Sequence, residues 1–150
     1  MPAPLTVVEI SAEDAHDLRR RVLREGTPSD EVRFEQDAWP ATFHLGARDA
    51  AGGLVGIATF FSSPTPLREG RRAAQLRGMA VDTAHQGRGI GRQLLDAAME
   101  RLRNAGFEAL WANARDTALP FYRRLGMDVV GEGFMTSDTK LPHHVVVRDL

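Results

Sequence analysis

Three alternating glycines, Gly87, Gly89 and Gly91, stand where a strand pattern gives way to a long helical pattern. Glycines in such a turn let the main chain approach a ligand closely, and the unpaired amides at a helix N-terminus favour anionic oxygens. This spacing therefore indicates that main-chain amides of the turn could bind phosphate groups. The alternative is a tight strand-to-helix connection that binds nothing.

The two commonest phosphate-binding loops do not fit this segment. A dinucleotide fingerprint, Gly-x-Gly-x-x-Gly, needs a third glycine where the sequence has Arg92. A nucleotide triphosphate loop needs a Gly-Lys pair, and the chain contains none. The spacing therefore argues against NAD and ATP as ligands.

Periodicity places this turn between a strand and an amphipathic helix. Ile90, Leu94, Ala98 and Leu102 recur every four residues, and Gly106 is the expected stop. Further helices are predicted over residues 11–26 and 117–125, and residues 25–40 fit either a short helix or a loop. The predicted strands span residues 5–10, 42–48, 53–61, 74–81, 108–114, 128–135 and 143–147. This order predicts a mixed α/β sheet with helices on its faces.

Composition excludes several classes of protein. The 150 residues include no cysteine, which rules out disulfides, thiolate metal sites and a cysteine acyl-enzyme. Nineteen basic and twenty acidic residues give a formal charge of −1, without the basic excess of a nucleic-acid-binding protein. The basic run at residues 19–21 is expected on a solvated helix face. No apolar stretch reaches the length of a membrane span, so we predict a single cytoplasmic domain over residues 1–150.

Two motifs resemble those of the GNAT superfamily of acetyl-CoA-dependent N-acetyltransferases. Gln86, Gly89 and Gly91 form Gln-x-x-Gly-x-Gly after a strand ending Met-Ala-Val, similar to the superfamily's coenzyme A loop. Residues 118–127 resemble its second signature, a helix ending Phe-Tyr-x-x-Leu-Gly-Phe. The resemblance implies the acyl-CoA N-acyltransferase fold, a central mostly antiparallel sheet splayed at the coenzyme A site and flanked by helices. It also implies acetyl-CoA as co-substrate, with no metal.

The resemblance also assigns cofactor-binding positions. The main chain around Met79 and Val81 would pair with the pantetheine arm and the thioester carbonyl, and amides from Gly87 to Arg92 would hold the pyrophosphate. A β-carbon at Gly89 or Gly91 would push the phosphates away. The implied cofactor-binding residues of this segment are Met79, Ala80, Val81, Gln86, Gly87, Arg88, Gly89, Ile90, Gly91 and Arg92.

One position departs from the superfamily pattern. Many members have an asparagine seven residues before the tyrosine, where this chain has Arg115, with Asn113 two residues earlier on the same strand face. Both are assigned to the cofactor site. For Arg115, a phosphate, an acidic substrate group and solvent remain open as partners.

Direct attack of an amine on the thioester is the expected mechanism, because the chain has neither cysteine nor a Gly-x-Ser-x-Gly elbow. The resemblance places Tyr122, the only tyrosine, near the thioester sulfur as general acid; helix packing is its alternative role. His143 and His144 would point to opposite faces of a strand, so only one can reach a pocket. The base remains open among these histidines, His85, Glu35, Asp37, Glu69 and a water molecule.

Two other classes of function remain open. A non-catalytic acyl-CoA sensor or partner-binding domain would keep the glycine loop without using Tyr122, and a nucleotide-binding regulator would need one of the loops that do not fit. The predicted partner is a small-molecule or peptide amine, with neither nucleic acid nor membrane. A homodimer is left open.

Overall fold

The computed structural model describes residues 5–150, in which seven strands form one sheet. The strands are β1 Thr6–Ile10, β2 Phe43–Arg48, β3 Leu54–Ser62, β4 Ala73–Val81, β5 Ala109–Arg115, β6 Asp128–Met135 and β7 Pro142–Asp149. Their order in space is β1-β2-β3-β4-β5-β7-β6. Neighbours are antiparallel except β4 and β5, which are parallel. The predicted mixed, mostly antiparallel sheet is confirmed.

Three helices cover the sheet: α1 Ala12–Leu18, α2 Ile90–Asn104 and α3 Leu119–Arg124. A π-helical turn, Arg19–Leu23, continues α1. Ser11 begins α1 because its hydroxyl accepts from the amide of Asp14, whose carboxylate in turn accepts from the amide of Ser11. Ile57 packs with Leu18 of α1, whereas the next residue, Ala58, joins the cluster formed by α2. The two helices therefore lie on opposite faces of the sheet.

The parallel strands β4 and β5 separate half-way along their length. They are paired only from Ala73 opposite Ala109 to Leu76 opposite Ala112. Beyond Leu76, β4 contains a bulge at Gly78, whose φ of +71° favours glycine. The bulge increases local twist, and the later part of β4 runs without a partner on the β5 side. The sheet is therefore splayed at this point, as the resemblance implied.

The segment between α1 and β2, whose sequence fitted either a short helix or a loop, contains both. It is irregular apart from a short 3-10 helix, Glu35–Ala38. The prediction of a solvated face is wrong for Arg19, which is 1% exposed. Its guanidinium forms a bidentate ion pair with Asp37 at 2.8 and 3.0 Å and donates to the Val32 carbonyl. This pairing satisfies the buried charge and fixes the segment against the sheet.

Candidate functional site

A cavity of about 620 Å³ opens between the N-terminus of α2, the free edge of β4 and α3. Most of the positions predicted to bind the cofactor line this larger cavity: Met79, Ala80, Val81, Gln86, Gly87, Gly89, Ile90, Gly91, Arg92 and Arg115. Arg88 and Asn113 do not line it. The structure thus brings together positions from two separate sequence segments, and adds Leu23 from the turn after α1.

The unpaired edge of β4 presents main-chain groups to this larger cavity. The amide of Asp82 donates to the Val55 carbonyl of β3 at 2.8 Å. Since antiparallel pairing alternates along a strand, the Val81 main chain points the other way, towards the gap left by β5. The Gln86 side chain donates to the Val81 carbonyl at 3.1 Å, which ties the loop to the strand.

The glycines of the loop have different physical roles. Gly87 and Gly89 have φ values of +80° and +78°, and a β-carbon on either would meet nothing within 4 Å. Gly91 has an ordinary helical φ, but a β-carbon there would lie 2.9 Å from the Phe121 ring. The expected reason for Gly91, protection of phosphates from a β-carbon, is therefore incomplete, because Gly91 lets α2 and α3 pack closely.

A second cavity, of about 340 Å³, lies on the α1 face of the sheet beside the same splayed strands. Its wall includes Asn113, which was assigned to the cofactor site, together with the side chains of Arg77, Asp138 and His143. Five residues line both the larger and this smaller cavity: Leu23, Met79, Arg115, Ala118 and Tyr122. The two cavities therefore meet around Tyr122.

Tyr122 is 7% exposed, and burial raises the pKa of its hydroxyl to about 12. The hydroxyl therefore stays protonated throughout the physiological pH range. No residue of the described chain forms a hydrogen bond with it. A protonated hydroxyl that has no partner in the described chain lies at the junction and is placed to donate to a ligand.

His143 and His144 point to opposite faces of β7, as predicted. His143 is 7% exposed and lies opposite Arg115 in the sheet, in the wall of the smaller cavity. Its Nδ1 lies 2.7 Å from the Leu141 carbonyl, which can only accept, so Nδ1 holds a proton. In the neutral ring Nε2 then carries a lone pair to which no described residue donates. His144 is instead bound to Asp116 at 2.6 Å.

The remaining candidate bases are not brought to the junction. Burial alone would raise the pKa of Asp37, but hydrogen bonds from Arg19 and the Phe34 amide lower it below its ordinary value. Both carboxylate oxygens of Asp37 already accept these hydrogen bonds. Glu69 is exposed beyond the opposite end of β4, and Glu35 is exposed. His85 lines only the larger cavity.

Sequence reasoning missed several polar residues of the smaller cavity. Gln75 and Arg77 alternate with apolar residues on β4, a period-two signal that marks one polar face of a buried strand. Thr136, Asp138 and Thr139 come from the β6–β7 turn, for which no signal was available. Within residues 5–150, no group of acidic and histidine side chains is placed to hold a metal ion. No helix of that part is long and apolar enough to cross a membrane.

The family model described as the acetyltransferase (GNAT) family matches residues 12–127. This chain belongs to the GNAT acetyltransferase family. It is 34% identical over 130 residues to the uncharacterized N-acetyltransferase YitI of Bacillus subtilis, covering 87% of each chain. It is 31% identical to the N-alpha-acetyltransferase RimI of Mycobacterium tuberculosis, covering 85% of this chain and 81% of RimI.

Solved structures of N-acetyltransferases share the same fold. A putative N-acetyltransferase from Lactobacillus plantarum superposes with a TM-score of 0.77 at 21% identity, over 97% of this chain and 98% of that one. A GNAT protein from Kribbella flavida gives 0.71 at 23% identity over the same shares. These structures show the fold, and the family match with the two relatives shows that the chain is an acyltransferase enzyme, an N-acetyltransferase of a family that uses acetyl-CoA.

Proposed function

We propose that acetyl-CoA binds in the larger cavity, that an amine enters the smaller one, and that the amine attacks the thioester directly where they meet. The observation that supports this proposal is the junction itself. Tyr122 lines both cavities, and His143, whose Nε2 accepts from no described residue, lines the smaller one. Each reactant then reaches the splayed strands from its own side.

The residues of the larger cavity fit a phosphopantetheine chain. The first turn of α2 holds no acidic side chain, and no described side chain caps its amides. These amides favour pyrophosphate oxygens, and the β4 edge offers main-chain hydrogen bonds to an extended amide arm. When bound, acetyl-CoA supplies the acyl group as a thioester.

His143 and Tyr122 have complementary roles in this proposal. His143 Nε2 accepts a proton, directly or through one water molecule, either from the ammonium group before it attacks or from the neutral amine as its bond to the acyl carbon forms. The Tyr122 hydroxyl donates a hydrogen bond to the sulfur that leaves. Since a phenol of pKa about 12 is a weaker acid than a thiol of pKa ~8.5, hydrogen bonding provides most of this effect before any proton is transferred.

Acetyl-CoA is expected to raise the melting temperature, whereas NAD and ATP are not. At a hundredfold excess over its dissociation constant, a ligand adds ~2.7 kcal/mol to the free energy of unfolding. For a chain of this length that corresponds to a shift of roughly 5–10 °C, measured by differential scanning calorimetry. A shift with NAD and none with acetyl-CoA would contradict the assignment of the larger cavity.

Gly89→Val is expected to weaken coenzyme A binding at least ~10-fold, because loss of even one charge-assisted contact costs ~1.5–3 kcal/mol. Valine is strained at a φ of +78°, so the amides at the start of α2 must move. Gly52→Val is the matched control, since Gly52 has a φ of +85° and equally open surroundings in the β2–β3 turn. Calorimetric titration should show unchanged affinity for the control; equal affinity in both folded variants would refute a role for Gly89.

A further inference from the structure

The smaller cavity has more positive than negative side chains. Arg24, Arg77 and Arg115 line it, with Asp138 as the only carboxylate among its described lining residues. Asp138 lies 3.4 Å from Arg24, so these two charges offset one another. Neither Arg77 nor Arg115 forms an ion pair with any described carboxylate. Two guanidinium groups in the wall therefore form no ion pair within residues 5–150.

Arg77 is held rigidly at this wall. Its guanidinium stacks on the Phe34 ring at 4.0 Å from the centroid, and Arg19 stacks on the same ring at 3.8 Å. The Gln36 side chain accepts one hydrogen bond from Arg77 at 2.8 Å. A guanidinium has five N–H donors, and this is the only one of them accepted within the described chain. Most of the donors are thus available to a ligand.

Burial makes these two charges unfavourable in the described chain, and Asp138 offsets only part of that cost. It lowers the pKa of Arg77, and burial together with the positive charge of Arg24 lowers the pKa of Arg115. Arginine nevertheless remains charged, so the cost persists until an anion is present. Arg115 lines both cavities and donates to the Leu23 carbonyl, whereas Arg77 lines only the smaller cavity. Arg77 is therefore the residue positioned to contact the acceptor alone.

We propose that the acceptor amine carries an anionic oxyacid group, a carboxylate or a phosphate, which Arg77 binds in the smaller cavity. This inference rests on the proposed function, because it identifies the class of amine that enters that cavity. A guanidinium matches both oxyacids by bidentate hydrogen bonding. An amine without such a group would bring a further positive charge beside Arg77 and Arg115, which disfavours simple monoamines and polyamines.

Matched sets of amines test this proposal. One set is leucine, leucinamide, 3-methylbutylamine and the aminophosphonic analogue of leucine; a second set uses the phenylalanine series. Thiol release from acetyl-CoA gives kcat and KM for each compound. We expect kcat/KM for the carboxylate or phosphonate member to exceed that of the amide and the plain amine by ~10- to 100-fold. The higher kcat/KM of the carboxylate or of the phosphonate then shows which oxyacid the cavity prefers. Equal or better use of the amide and the plain amine, which lack the oxyacid group, overturns the proposal while leaving acetyl transfer intact.

Variants of Arg77 locate the effect. Arg77→Gln should remove the preference through KM, leaving the amide unaffected, and Arg77→Lys should restore part of it because the charge remains. Arg33→Gln removes an exposed charge outside both cavities and should change nothing. If acetyl-CoA binds but no amine is turned over, the proposed function fails, and the anion site is then tested by calorimetry on the coenzyme A complex. A larger rise in melting temperature with the oxyacids than with the amides, lost in Arg77→Gln, still supports an anion site at Arg77. Equal rises with oxyacids and amides refute that site.

Discussion

Tyr122→Phe is expected to lower kcat by ~10²- to 10⁴-fold, with acetyl-CoA affinity nearly unchanged. The substitution removes only the hydroxyl and keeps the ring, which packs against Phe121 at 5.1 Å between centroids. Because no described residue bonds to that hydroxyl, its removal leaves no partner unsatisfied, and the fold should be unaffected. Steady-state kinetics with an amine acceptor, beside calorimetric titration of acetyl-CoA, measures the two quantities separately.

The opposite outcome for Tyr122→Phe has a clear meaning. An undiminished kcat, with an acceptor for which chemistry is rate-limiting, would reduce Tyr122 to a packing residue between the two cavities. A lower affinity for acetyl-CoA at unchanged kcat would make the hydroxyl a binding group. The expected pattern also excludes the non-catalytic sensor, because a sensor has no kcat to lose.

His143→Asn is expected to lower kcat by a similar ~10²- to 10⁴-fold, because it removes the basic nitrogen that accepts the amine proton. Asparagine places an amide nitrogen near the position of Nδ1, so the hydrogen bond to the Leu141 carbonyl can be kept. Affinity for acetyl-CoA should not change, since His143 does not line the larger cavity. The measurement is kcat across a range of pH values, with circular dichroism to verify folding.

His144→Asn is the matched control for His143→Asn. It makes the same chemical change one residue along β7, on the opposite face, where the ring is bound to Asp116. We expect kcat to stay close to that of the parent, because His144 lines neither cavity. Equal losses in both variants, or no loss in His143→Asn, would favour a water-mediated base.

The features that the sequence predicted correctly depend on short stretches of chain. Apolar residues every four positions specify α2, Ser11 and Asp14 begin α1, and glycines with positive φ form the loop at Gly87 and Gly89. These are local effects of main-chain conformation and periodicity, so they can be recognised without neighbours in space. The coenzyme A loop and the Phe-Tyr signature are of the same kind, and they indicated the family that the comparisons confirmed.

Strand pairing decided what the local pattern could not. Period two shows that His143 and His144 face opposite ways, but only the register that places His143 opposite Arg115 shows which one enters a cavity. Burial of Arg19 depended on Asp37, eighteen residues away on an irregular segment. Arg77 gained its position from the bulge at Gly78 and the Phe34 ring, contacts between distant parts of the chain. Sequence thus determined the elements and the glycine loop. The smaller cavity, which we propose as the acceptor site, was decided by tertiary contacts, because its residues converge from segments that share no local pattern.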